Sequence, residues 1–261
     1  MLNRILNRNQ RSALIALAIL PTSGVQAAMV LGTDWGDGSF TELSYGASGL
    51  AYVTPWLYVG DFAATDSPSN QAAVSLLDFA QPPAVSGLGT PAMEVTYSFT
   101  NNDSLAFHDL RFMLNVEASD TAAPNYDIDE GLAIWGTKSA GDPDQYEIAV
   151  YDLFAPGGIP DSILGGTLHG TNTCVAPCDV DTALQWNLAS LEPGQTWQVL
   201  VRLSDDGSAV SSRYLQAASN LDPVSTTLTF SGTAAVVPLP STLVLLGSAL
   251  AGILGFVRRR A

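Results

Sequence analysis

The stretch Glu94-Val95-Thr96-Tyr97-Ser98-Phe99-Thr100, followed by Asn101-Asn102-Asp103, decides the class of fold. Successive side chains of an extended chain point to opposite faces. Val95, Tyr97 and Phe99 therefore share one apolar face, and Thr96, Ser98 and Thr100 share a polar one. Asn-Asn-Asp then supplies a turn. Moving outward, the same signature recurs at Leu105–Val116, Gly131–Gly136, Tyr146–Leu153, Leu184–Leu188, Thr196–Leu203 and Ser225–Phe230. On the N-terminal side it recurs at Leu50–Val59 and Val74–Phe79. Turn-forming runs punctuate them: Ala140-Gly141-Asp142-Pro143, Pro156-Gly157-Gly158, Glu192-Pro193-Gly194 and Ser204-Asp205-Asp206-Gly207. Short strands at this spacing predict an all-β protein whose body is an antiparallel β-sandwich of jelly-roll or immunoglobulin-like type. Helical periodicity is weak except at the two ends, where an N-terminal signal helix and a single C-terminal transmembrane helix are expected. Residues 80–91 read as a surface loop.

Composition narrows the function. Of 261 residues, 47% are hydrophobic and only 13% are charged, about half the usual charged share, so the chain is not a solvated disordered one. The formal net charge is −15. Nucleic acid is excluded as a partner, because phosphate binding needs clustered Lys and Arg. The charges are also sorted by position. All acidic residues lie between Asp34 and Asp222, where Arg111, Lys138, Arg202 and Arg213 are the basic residues. The remaining arginines stand at the ends.

The N-terminus reads as a secretory signal peptide over residues 1–27. Arg4, Arg8 and Arg11 form a basic region, and an apolar run from Ala13 to Leu20 follows. Pro21 ends any helix, and Val25-Gln26-Ala27 presents small residues to signal peptidase, with the cut after Ala27. The apolar run is too short to cross a bilayer core of about 30 Å. Arg8 and Arg11 are not adjacent, so the route is the Sec translocon rather than the twin-arginine one.

The exported body is expected over residues 28–235 and a tail over 236–261. From Leu239 to Val257 no residue is charged, and Arg258-Arg259-Arg260 follows at once. Such a stretch is near the lower limit for a membrane span. The three arginines act as a stop and hold that end in the cytoplasm.

The tail opens Val237-Pro238-Leu239-Pro240, continues as the apolar run and closes with the arginines. This order resembles the PEP-CTERM sorting tails, in their Val-Pro-Leu-Pro variant, with Leu239 where the founding motif has Glu. The resemblance implies an exported Gram-negative protein that is anchored in the inner membrane before processing. It also implies recognition by an exosortase-like membrane protease and delivery to a cell surface or extracellular matrix rich in exopolysaccharide. The two prolines keep the recognition segment extended, since each fixes φ and disfavours helix in the residue before it. Leu239-Pro240-Ser241-Thr242 also matches four positions of a sortase signal. Leu243 stands where that signal has Gly, and no polar spacer precedes the apolar run.

Catalytic signatures for zinc proteases, serine hydrolases and phosphate-binding loops are missing from the sequence, so no catalytic residue is assigned. Cys174 and Cys178 read as a disulfide in an exported protein, with a metal pair completed by His169 as the alternative. No cofactor is required. Calcium is the open alternative, at Asp127, Asp129 and Glu130 first, then at Asp142/Asp144, Asp179/Asp181 and Asp34/Asp37, since calcium takes several oxygens from one loop. Five tryptophans, Trp35, Trp56, Trp135, Trp186 and Trp197, raise the option of sugar stacking, with Trp135 and Trp197 read as core. The leading expectation is a non-enzymatic surface or matrix protein with a structural or adhesive role in a biofilm. A calcium-assisted carbohydrate-binding module and a secreted hydrolase stand behind it.

Overall fold

The computed structural model describes residues 29, 33–34, 40–46, 48–60, 65–66, 77–79, 83–120, 130–150, 159–171, 180–218 and 227–238. Strands dominate them. The first sheet contains β1 (Thr33–Asp34), β2 (Phe40–Tyr45), β3 (Gly49–Val59), β4 (Thr65–Asp66), β8 (Phe107–Asp120), β10 (Gln145–Val150), β11 (Gly170–Thr171) and β12 (Val180–Leu191). Its order is β1-β2-β3-β8-β12-β10-β11, with β4 on β3. The second sheet contains β5 (Leu77–Phe79), β6 (Ala84–Ser86), β7 (Ala92–Asn101), β9 (Glu130–Trp135), β13 (Thr196–Ser204), β14 (Arg213–Ala218) and β15 (Thr227–Val237). Its order is β5-β7-β13-β15-β14-β9, with β6 on β7. Among the described strands only β10 and β11 pair in parallel.

The alternation that predicts β7 is realised residue by residue. Met93, Val95, Tyr97 and Phe99 are buried, and Glu94, Thr96, Ser98 and Thr100 are half-buried on the other face. β13 repeats the pattern with Trp197, Val199, Val201 and Leu203 inside. One buried cluster draws on both sheets. The Tyr97 ring of β7 meets the Phe112 ring of β8 at 4.8 Å, and Phe99 meets the same ring at 5.7 Å. Such tilted pairs add to the burial of their apolar area.

β12 departs from alternation. Val180 through Trp186 are all buried, because its outer face is covered too. The cover is a single-turn helix, α1 (Ile159–Leu164), and the residues after it. Ile159, Ile163 and Leu168 pack there on Met113, Ala149 and Ala183, with Trp56 and Tyr58 alongside. Glu147 fastens the layer. Buried in β10, its carboxylate accepts from Ser162 Oγ and from the His169 amide, each at 2.9 Å.

Of the connections that cross between the sheets at one end of the molecule, two are joined by a single side chain. Residues 102–106 lead from β7 to β8, and residues 192–195 lead from β12 to β13. Asn101, fully buried, stitches them together. Its Nδ2 donates to Leu191 O at 2.7 Å and Leu105 O at 2.9 Å, and its Oδ1 accepts from the Asp103 amide at 2.8 Å. Backbone bonds from Asn101 N to Gln195 O and from Gly194 N to Asn101 O complete the seam.

Among the described residues no helix is long and apolar enough to cross a membrane. The expected span and signal helix lie outside them.

Candidate functional site

The functional motif closest to the folded body is the start of the tail. β15 runs between β13 and β14, and its pairing with β13 continues to its last residue. Trp197 opposes Val236 and Thr196 opposes Val237. Pro238 is the first residue past the ladder and is exposed. The boundary between body and tail expected at 235/236 therefore falls inside a strand. Two of the motif residues, Val237 and Pro238, are placed by the structure. Leu239, Pro240, Arg258, Arg259 and Arg260 lie outside the described residues, as does the cleavage residue Ala27.

A second feature is a cleft of about 550 Å³ on the outer face of the first sheet. Asp109, Arg111, Thr167, Gln185, Asn187, Leu188 and Ala189 line it. Asp109 has φ of 52°, the one non-glycine positive value among the described residues. Aspartate tolerates this left-handed region better than most residues. The twist lets its carbonyl accept from the Gly60 amide at 3.0 Å as β3 ends. Its carboxylate takes both arms of Arg111, Nε to Oδ1 at 3.0 Å and Nη2 to Oδ2 at 2.7 Å. Arg111 Nη1 donates to Gly166 O, and the guanidinium lies 4.9 Å from the Tyr58 ring centre. Gln185 accepts from the Leu168 amide at 2.9 Å and donates to Asn187 Oδ1 at 2.7 Å. These polar groups mainly satisfy one another. Nothing in the linear sequence marks the cleft, since it joins residues near 110, 167 and 187 through strand pairing.

The acidic clusters divide. Asp127 and Asp129 lie outside the described residues, and Glu130 is placed by its backbone alone, at the start of β9. Asp142 is buried and accepts from the Ser139 amide at 2.9 Å and from the Ser212 hydroxyl. Asp144 pairs with Lys138 and accepts from the Asn187 amide at 2.8 Å. Asp181 is buried and accepts from the Thr182 amide at 2.8 Å. Among the described residues no three His, Cys, Asp or Glu side chains gather as metal ligands. Cys174 and Cys178 lie outside them. His108 and His169 are exposed.

Two carboxyls near the opposite end are shifted. Burial pushes Asp205 above the usual carboxylate range, opposed by a hydrogen bond from the Gly46 amide at 3.0 Å. Hydrogen bonding from Ser208 holds Asp206 below that range.

Of the tryptophans, Trp186 and Trp197 are fully buried. Trp135 is half-buried between Tyr146, at 4.5 Å, and the Arg213 guanidinium, at 5.0 Å. Trp56 is half-buried against the α1 layer, and Trp35 lies outside the described residues.

A family model for the PEP-CTERM protein-sorting motif matches residues 236–260. The tail is thus a PEP-CTERM sorting motif, the mark of an exported protein sorted at the membrane with an exosortase as processing partner. The match begins inside β15, one residue before its end. No curated protein and no solved structure matches the chain.

Proposed function

We propose that this chain is a non-enzymatic surface or matrix protein, a β-sandwich body delivered by its sorting tail to a structural or adhesive role outside the cell. The observation that carries the reading is the sorting motif joined directly to a strand of the folded body. In this reading a signal peptide ending at Ala27 takes the chain through the Sec translocon. An exosortase then cuts near Pro238-Leu239-Pro240, while Arg258, Arg259 and Arg260 hold the substrate in place. The sandwich rests on the cluster shared by the two sheets and on the Tyr97–Phe112 and Phe99–Phe112 contacts between them. A role without chemistry is supported by the cleft, where Asp109, Arg111 and Gln185 are occupied in internal hydrogen bonds. It is supported over sugar stacking by the four described tryptophans, each packed against neighbours. The body is proposed to need no cofactor.

Intact-mass analysis of the protein from its native host tests this. A species starting at Ala28 and ending near Pro240 is expected in the outer envelope or medium. A species still ending at Ala261 and confined to the membrane would overturn the processing step.

A further inference from the structure

The length of chain between β15 and the arginines leaves no room for a tether. The uncharged run Leu239–Val257 has 19 residues. As a helix it reaches about 28 Å, just the thickness of a bilayer core of about 30 Å. A span that uses this run begins within a residue or two of Pro238. Even if Leu239–Thr242 stayed extended outside the membrane, the five steps from Val237 to Thr242 would cover at most about 17 Å. The headgroup layer alone takes about 5–7 Å of that. Val237 is tied to the body by its pairing with Thr196, the last pair of the β13–β15 ladder.

The end of the body from which β15 leaves is therefore the end nearest the bilayer. It is the end where the 102–106 and 192–195 connections cross between the sheets. Thr100, Thr196 and Val237 lie side by side in the last row of the second sheet. From the 102–106 connection Leu105 projects, 71% exposed, the most exposed large apolar side chain among the described residues. It is held there rather than loose. Asn101 Nδ2 bonds its carbonyl at 2.9 Å, and Asp103 Oδ1 accepts from the Ser104 amide and, at 3.3 Å, from the Leu105 amide. Val237, also apolar, is 41% exposed on the same end. The charged groups carried by the two connections, Asp103 and Glu192, are acidic. Such a surface has apolar points to insert, and Lys138, on the 136–144 connection that lies beside Ala234 at the same end, is paired with Asp144.

We infer that, before its tail is cut, the body stands flush on the bilayer and the connection carrying Leu105 rests in the lipid surface. The inference depends on the tail spanning the membrane, as in the proposed function. The occupant of this surface is lipid, set by the covalent joint and by how little chain separates the ladder from the span.

The test uses the full chain reconstituted in phosphatidylcholine vesicles, with Cys174→Ser and Cys178→Ser. An environment-sensitive fluorophore is placed at Leu105→Cys in one sample and at Leu88→Cys in another. Leu88 is exposed beyond the opposite end of β7, about 26 Å away along the eight steps from Ala92 to Thr100. Nitroxide-headgroup lipid should quench the label at position 105 at least twofold and leave the label at 88 unchanged. Inserting 12 Gly/Ser residues between Val237 and Pro238 should abolish the quenching at 105. No quenching at 105, equal quenching at both sites, or quenching that survives the insertion would overturn the inference. Flotation separates the two levels. A chain that fails to float with vesicles overturns the spanning tail itself, whereas one that floats without quenching at 105 overturns the flush arrangement alone.

Discussion

Replacing Asn101 by alanine should cost about 3 kcal/mol of folding stability, and the sum can be worked group by group. The side chain makes three hydrogen bonds, to Leu191 O, Leu105 O and Asp103 N. Leu191 is fully buried, so its carbonyl would lose this bond away from water, a cost of roughly 1–3 kcal/mol. Leu105 and Asp103 sit on a connection open to water, which can replace the lost bonds. Each of these contributes only about 0.5–1 kcal/mol net. Urea unfolding of the full chain in detergent micelles, followed by tryptophan fluorescence, gives the difference. Asn101→Asp keeps the volume and the acceptor but turns a charged oxygen toward two carbonyl oxygens in a buried site, so it should lose at least as much at pH 7. Ser190→Ala, which removes a hydroxyl that donates to the exposed Glu192 side chain at 3.0 Å, should stay within about 0.5 kcal/mol of the parent. If both Asn101 variants also fall within that range, the seam between the two connections is not held by this side chain.

Three further outcomes follow from single groups. Gly232→Ala would place a Cβ 2.5 Å from Leu200 O and 2.7 Å from the Trp186 ring, so it should lower stability by about 2–3 kcal/mol or more in thermal melting, and a neutral result would contradict the packing. Asp205 takes up its proton more readily folded than unfolded, so its titration lowers stability as pH rises from 3.8 through the raised folded value. Asp205→Asn should flatten that segment and leave stability at pH 7 equal or higher. A parent-minus-variant difference that rises with pH through that window would refute the sign. Glu147→Ala frees Ser162 and His169, so hydrogen exchange should quicken across residues 159–169 while β8 and β12 keep their protection.

Much of the fold was legible because a strand with one wet face writes its burial into the sequence. β7 and β13 are examples, found within two residues of their ends. The prediction weakens wherever a second layer intervenes. β12 extends back to Val180 because α1 and Leu168 cover its outer face, which removes the alternation from its first half. α1 itself is too short for a 3.6-residue period to show. β14 hides for another reason: its inward residues, Leu215 and Ala217, are few and small, so the apolar signal is faint. The sorting tail was readable because it is a linear motif. Its fusion to an interior strand was not, since Val236 and Val237 acquire ladder partners only through Trp197 and Thr196, forty residues earlier.

That fusion constrains where the chain can be cut and still leave a folded body. β13 and β14 meet only through β15, so without it the second sheet separates into β5-β7-β13 and β14-β9. β15 also supplies Leu228 and Phe230 to the shared core. Burying two such side chains contributes roughly 3–6 kcal/mol, a large part of the stability of an ordinary domain. A chain ended after Asp222 should therefore lose its cooperative urea transition and near-ultraviolet dichroism, while one ended after Pro240 keeps both. A cut ahead of Val236 removes ladder residues opposite Trp197, whereas a cut after Val237 removes none. The C-terminal peptide of the released species should end at Val237 or beyond. A released body that remains cooperatively folded yet ends before Phe230 would show that β15 is dispensable, and would refute the argument at its root.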